Sequence, residues 1–186
     1  MDELRSAKEQ IRKDIAKAVS GVTEKQRAEK TKAIEARLFG FANFLEARIV
    51  LLYIDGENEV RTKNILKNAY AFNKIVVLPA FDSERLKVSV FKVDHPDKDL
   101  LPGPRGVAQP NPARCKPVPL QKIDIAIIPG VAFDEKGARI GSGRRGGVGG
   151  RASVANATRH RSRNDPVVAD HPPLLRNHRD CHEGVG

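Results

Sequence analysis

Two kinds of apolar pattern alternate along the chain as far as residue 134, one at helical spacing and one in short unbroken runs. Leu4, Ile11, Ile15 and Val19 recur near helical spacing and predict a helix over residues 2–20, with Gly21 placed to end it. Thr23 followed by Gln26 has the form of a capping box, opening a second helix to about Phe41. Ala33, Ile34, Leu38, Phe41 and Leu45 would form its buried face. RIVLLYI, residues 48–54, is too short and too uniformly apolar for anything but a buried strand. A loop, Asp55-Gly56-Glu57-Asn58, leads to a third helix over Glu59 to Phe72. KIVVLPA, 74–80, is a second buried strand stopped by Pro79, and RLKVSVFKV, 85–93, alternates as a half-exposed strand does. Proline-rich residues 94–121 read as a long loop with little regular structure, and KIDIAIIPGVAFD, 122–134, as a third buried strand running into a glycine-containing turn.

Helices alternating with uniformly apolar strands imply a three-layer α/β fold, a mainly parallel sheet with helices on both faces. In such sheets ligands bind beyond the carboxyl ends of the strands. The segments there are Asp55–Glu59, Pro79–Asp82 and Pro129–Gly143.

Composition changes this picture at one place. Residues 144–186 contain no lysine, no isoleucine and no aromatic residue, yet hold four of the five histidines: His160, His171, His178 and His182. The chain therefore divides into an α/β domain over 1–143 and an irregular tail rich in Arg, Gly, His and Pro over 144–186. A basic disordered tail, an RNA-binding arm and out-of-frame translation after a coding frameshift near residue 143 all fit that composition. The formal charge of +10 points to a nucleic acid or to a polyanionic small molecule, without choosing between them. The tail lacks aromatics to stack bases, so nucleic acid is not the expected partner. The tail histidines have no metal-ligand spacing on a predicted helix, and Cys115 and Cys181 read as unpaired thiols. No apolar run could cross a bilayer and the N-terminus is charged, so a cytoplasmic protein is expected.

Gly137-Ala138-Arg139-Ile140-Gly141-Ser142-Gly143 follows a predicted strand and turn. Glycines at that spacing let backbone amides approach phosphate oxygens, and Arg139 could neutralise one; a loop that merely reverses the chain would look similar. Lys8 and Arg12 lie four apart, on one face of a helix, where they could clamp a triphosphate or stand as a solvated basic face.

Together with what precedes it, the glycine-rich segment is more specific. IDIAIIPGVAFDEKGARIGSG resembles the signature of the 5-formyltetrahydrofolate cyclo-ligase family, a Pro-Gly-x-x-Phe-Asp turn followed by Gly-x-Arg-Leu/Ile-Gly-x-Gly. In that family the motif continues into Gly-Tyr-Tyr-Asp; here the likeness holds through Gly143 and RRGGVGG stands in its place. A motif broken in mid-phrase favours the frameshift among the three explanations of the tail. KEQIR, containing Lys8 and Arg12, resembles the family's Lys-x-x-Leu-Arg. YIDGENEVRT, 53–62, resembles its strand-loop-helix with a substrate-binding glutamate, and RGVAQP, 105–110, its Gly-Ile-x-Glu-Pro with Gln109 in place of the glutamate.

The resemblance covers about residues 4–143. It implies an ATP- and Mg2+-dependent enzyme converting 5-formyltetrahydrofolate to 5,10-methenyltetrahydrofolate; separately, a monomer is expected. It implies ATP contacts from Lys8, Arg12, Arg139, Gly141, Ser142 and Gly143, folate contacts from Ile54 and Glu59, and no protein nucleophile. The family's magnesium ligand lies in the Tyr-Tyr-Asp segment, and no residue here matches it. A basic RNA-binding protein and a non-catalytic nucleotide-binding relative are the alternatives.

Overall fold

The computed structural model describes residues 2–56, 59–82, 87–103, 106–134 and 137–142. The tail residues 144–186, and with them the domain boundary drawn at Gly143, lie outside this set, as do the four tail histidines and Cys181.

Three helices come first: α1 (Asp2–Ser20), α2 (Glu24–Phe39) and the short α3 (Ala42–Glu46). The capping box opens α2, with the Gln26 N–H donating to Thr23 Oγ1 at 3.3 Å and the Thr23 N–H to Gln26 Oε1 at 3.0 Å. Gly40 ends α2, so the single helix expected up to Phe41 is followed by a separate turn of helix. That break turns Leu45 outward, 52% exposed, and Phe44 takes the core position instead.

The central sheet has the order β6-β3-β2-β1-β7. Its strands are β1 (Ile49–Leu51), β2 (Ile75–Asp82), β3 (Lys87–Lys92), β6 (Lys116–Pro117) and β7 (Ile125–Ala126), with α4 (Lys63–Ala71) crossing between β1 and β2. β1 lies parallel to both β2 and β7, and β3 and β6 extend the sheet antiparallel on the far side. The sheet is mainly parallel at its centre and flanked by helices, as the alternation of patterns implies. Its larger core joins Leu38, Phe44, Ile65 and Ala69 of the helices to Val50, Leu52, Val76, Leu78 and Phe91. A smaller cluster on the other face gathers Leu51, Val77, Val90 and Ile123. Buried Lys74 closes the base of the sheet: its Nζ donates to Leu45 O at 3.0 Å and Ala47 O at 2.7 Å, at the C-terminal end of α3. Burial lowers the pKa of that ammonium.

The proline-rich stretch is more ordered than its composition predicts. It holds α5 (Pro96–Asp99) and a hairpin of β4 (Leu100–Pro102) with β5 (Ala108–Pro110). Its anchor is Asp99, buried by short-range packing that a proline count does not register. Asp99 Oδ2 accepts from the His95 N–H at 2.8 Å, Oδ1 from Arg114 Nε at 3.4 Å, and the Asp99 carbonyl from the Asn111 N–H. A second small hairpin, β8 (Ala132–Phe133) with β9 (Arg139–Ile140), follows β7, so the long third strand predicted from the apolar run is a short strand and a hairpin arm.

Candidate functional site

Adjacent parallel strands β1 and β7 send the two candidate segments out side by side, beyond the same end of the sheet. After Leu52, whose N–H donates to Val77 O, the chain leaves the sheet. Pro79 has no N–H to continue that ladder, so pairing of β1 with β2 stops there and the chain is released into a loop.

That loop is closed at its neck by one reciprocal clasp. Asp55 Oδ1 accepts from both the Thr62 N–H, at 2.9 Å, and Thr62 Oγ1, at 2.8 Å, while the Asp55 N–H donates back to Thr62 Oγ1 at 3.2 Å. Thr62 starts α4 but spends its hydroxyl on the loop rather than on capping the helix. Arg61 ties the loop to α2 through Glu24, Nη2 to Oε1 3.0 Å. Within the loop Glu59 is half-buried, and its Oε2 accepts from the Gly56 N–H at 3.0 Å. That bond fixes the carboxylate and leaves its other oxygen for a ligand donor. Ile54 packs on the main core, which places its backbone at the root of the same loop.

The second segment is the β8–β9 hairpin. Its turn is set by Asp134, whose Oδ1 accepts from the Ala138 N–H at 2.7 Å, and by Gly137 at φ +80°. Arg139 folds back across the hairpin base, Nη1 donating to Pro129 O at 2.5 Å, and burial lowers its pKa from the ordinary guanidinium value. Its side chain needs Gly130, where a Cβ would fall 3.0 Å from Arg139 Cγ and 2.5 Å from Phe133 Cζ. Gly141 lies against the same guanidinium, a Cβ there being 3.7 Å from Nη1.

Helix α1 reaches this hairpin through one long-range bond: Arg12 Nε donates to Gly141 O at 2.9 Å. Lys8 sits one turn earlier on the same face, exposed, and Ser142 is exposed on the hairpin. The structure thus brings Arg12, Arg139 and Gly141 together with Lys8 beside them; Gly143 lies outside the described residues. α1 is less buried than its pattern predicts, with Leu4 70% and Ile11 38% exposed. Among the described residues no three His, Cys, Asp or Glu side chains gather, and a magnesium ion held by one or two carboxylates together with substrate phosphates would not need them to.

Asp55 and Thr62 were not singled out by sequence. The available signal was a polar pair bracketing the loop, one at the end of a strand and one at the start of a helix.

The fold is that of a three-layer α/β protein whose candidate site lies past the carboxyl ends of its parallel strands. The chain belongs to the 5-formyltetrahydrofolate cyclo-ligase family, whose model matches residues 4–168, a span that passes Gly143. It is 27% identical over 136 residues to 5-formyltetrahydrofolate cyclo-ligase of Haemophilus influenzae, covering 73% of each chain. It is 25% identical over 122 residues to that of Escherichia coli K12, covering 66% of this chain and 67% of the relative. The solved structure of 5,10-methenyltetrahydrofolate synthetase from Aquifex aeolicus superposes with a TM-score of 0.65 at 23% identity, covering 82% of this chain and 72% of that one. That likeness bears on the fold.

Proposed function

We propose that the site is built for ATP-dependent conversion of 5-formyltetrahydrofolate to 5,10-methenyltetrahydrofolate. The observation that carries the reading is the Arg12–Gly141 bond, which draws the Lys8 and Arg12 face of α1 onto a glycine-rich hairpin next to the Glu59 loop. Lys8, Arg12 and Arg139, with the amides of Gly141, Ser142 and Gly143, would neutralise and orient the triphosphate. Glu59 and the Ile54 backbone would hold the folate, the free Glu59 oxygen accepting from an N–H of the pterin ring.

The chemistry follows from leaving-group ability. The formyl oxygen attacks the γ-phosphorus and the bond to ADP breaks. The neighbouring folate nitrogen then attacks the formyl carbon, loses its proton, and phosphate departs with the former formyl oxygen. Such transfer needs positioning and charge neutralisation rather than a protein nucleophile. Magnesium, where bound, would neutralise phosphate charge, but no step here is assigned to it.

The reading includes the frameshift. The family's Gly-Tyr-Tyr-Asp segment is replaced from Arg144 onward, so this 186-residue chain binds ATP weakly and does not cyclise the folate. The RNA-binding alternative rested on the Arg/Gly tail and the positive N-terminal helix, and gains no support from the relatives. Cytoplasmic location and a monomeric state complete the proposal. The test is to assay methenyl-folate absorbance and ATP affinity in three chains: this one, one continued in the alternative reading frame of its coding DNA after Gly143, and Arg12→Ala. We expect turnover only in the second and further loss of ATP affinity in the third. Full turnover by the 186-residue chain would refute the impairment, and unchanged ATP affinity in Arg12→Ala would refute the phosphate site.

A further inference from the structure

Beside the Glu59 loop stands the β4–β5 hairpin, and Gln109 on β5 is the side chain that fastens it to the central sheet. On β2, residues 77, 79 and 81 direct their backbone groups toward β1, because Val76 O is taken on the opposite edge by the Val93 N–H. Val77 O is met by Leu52, and Pro79 has no donor. The Phe81 N–H is therefore the first donor on that edge left without a strand beside it, and Gln109 Oε1 accepts it at 3.1 Å. The side chain fills the place of the next residue of β1 after β1 has left for the ligand loop.

The same hairpin touches that loop at its tip. Gly103 and Val107 close the tip, the Gly103 N–H donating to Val107 O at 3.0 Å. Gln109 lies over Gly103, where a Cβ would come within 3.0 Å of Gln109 Cγ. At Gly56, a Cβ would lie 3.9 Å from Val107 Cγ2 and 3.6 Å from Glu59 Oε2, so the hairpin tip and the Glu59 carboxylate flank one glycine. The Gly56 N–H is the donor that orients that carboxylate.

We propose that Gln109 is a positioning residue for folate binding: by accepting from the Phe81 N–H it seats the Val107 tip against Gly56 and so holds Glu59 in its binding orientation. The inference rests on the folate reading of the site. It assigns to Gln109 the work of a hydrogen-bond acceptor, which a glutamate at the same position would also perform, and no work to its amide hydrogens.

The test compares the full chain with Gln109→Met, which keeps the stem over Gly103 but loses the acceptor, and Gln109→Glu, which keeps both. Binding of 5-formyltetrahydrofolate and of ATP is measured by equilibrium dialysis, with thermal melting to follow folding. Gln109→Met should lose about tenfold in folate affinity with ATP affinity unchanged, and Gln109→Glu should restore it. Unchanged folate affinity in Gln109→Met overturns the proposal alone. So does an equal loss of ATP affinity, which would mark a purely structural role, or a Gln109→Glu variant as weak as Gln109→Met. Failure of the unmutated chain to bind the folate overturns the reading of the site as well.

Discussion

Single residues here act by what they leave room for as much as by what they carry. Gly130 is the clearest case, since its missing side chain is where Phe133 and Arg139 pack. Gly130→Ala should move both, costing about 1–3 kcal/mol of stability and lowering ATP affinity through the displaced guanidinium; denaturation and nucleotide titration would read the two effects separately. Asp99 carries a charge that the fold depends on. Its carboxyl is held below the ordinary carboxylate range first by the His95 N–H, with Arg114 and the Asp94 N–H adding to the effect and burial opposing it. A carboxylate so depressed contributes stability that is fully present above its unfolded value and is lost as pH falls through the folded one. Asp99→Asn should therefore be less stable than the parent at neutral pH, and the difference should vanish in acid below the carboxylate range. Urea denaturation of the two at both pH values checks this, and a gap that persists in acid would remove the ionic explanation.

At the scale of elements, the loop from Asp55 to Thr62 shows how a helix start can serve a binding segment. Thr62 is 1% exposed, and Thr62→Val keeps its shape while removing a donor to Asp55 Oδ1 and an acceptor for the Asp55 N–H. We expect a cost of about 2 kcal/mol, and weaker folate binding because the loop that carries Glu59 loses its neck. Calorimetric folate titration would show it, and a variant that is destabilised yet binds the folate normally would separate the clasp from the site. The elements themselves were largely legible in the apolar pattern: the α2 capping box, the strand after Arg48 and the start of the strand at 75 read directly from neighbouring residues, but Pro79 does not stop that strand, which runs on to Asp82 because its pairing with β3 makes no use of the missing N–H. Two further features were not legible there. The order within 94–121 depends on Asp99 meeting the backbone of His95 and Asn111, a contact of folded chain rather than of spacing. Leu45 joins the helical period of its neighbours on paper, but Gly40 resets the phase and leaves it in solvent.

For the molecule as a whole, the site is an outcome of strand order. β7, the last strand of the central sheet in sequence, pairs with β1, the first, and that single adjacency sets the glycine-rich hairpin beside the Glu59 loop. Sequence gave the chemistry of each piece, through Lys8 and Arg12 on one helical face and glycines around Arg139. It could not give their meeting, because 129 residues separate Arg12 from Gly141. Three of the bonds that hold the assembly have a common form. Arg12 reaches a carbonyl at Gly141, Arg139 a carbonyl at Pro129, and Gln109 an amide at Phe81. Each side chain thus grips main chain, and the grip asks nothing of the side chain at the receiving position. In a lineage of such proteins, substitutions at positions 81, 129 and 141 would carry no compensating signature at 109, 139 and 12. Searches for paired changes would pass over these three contacts.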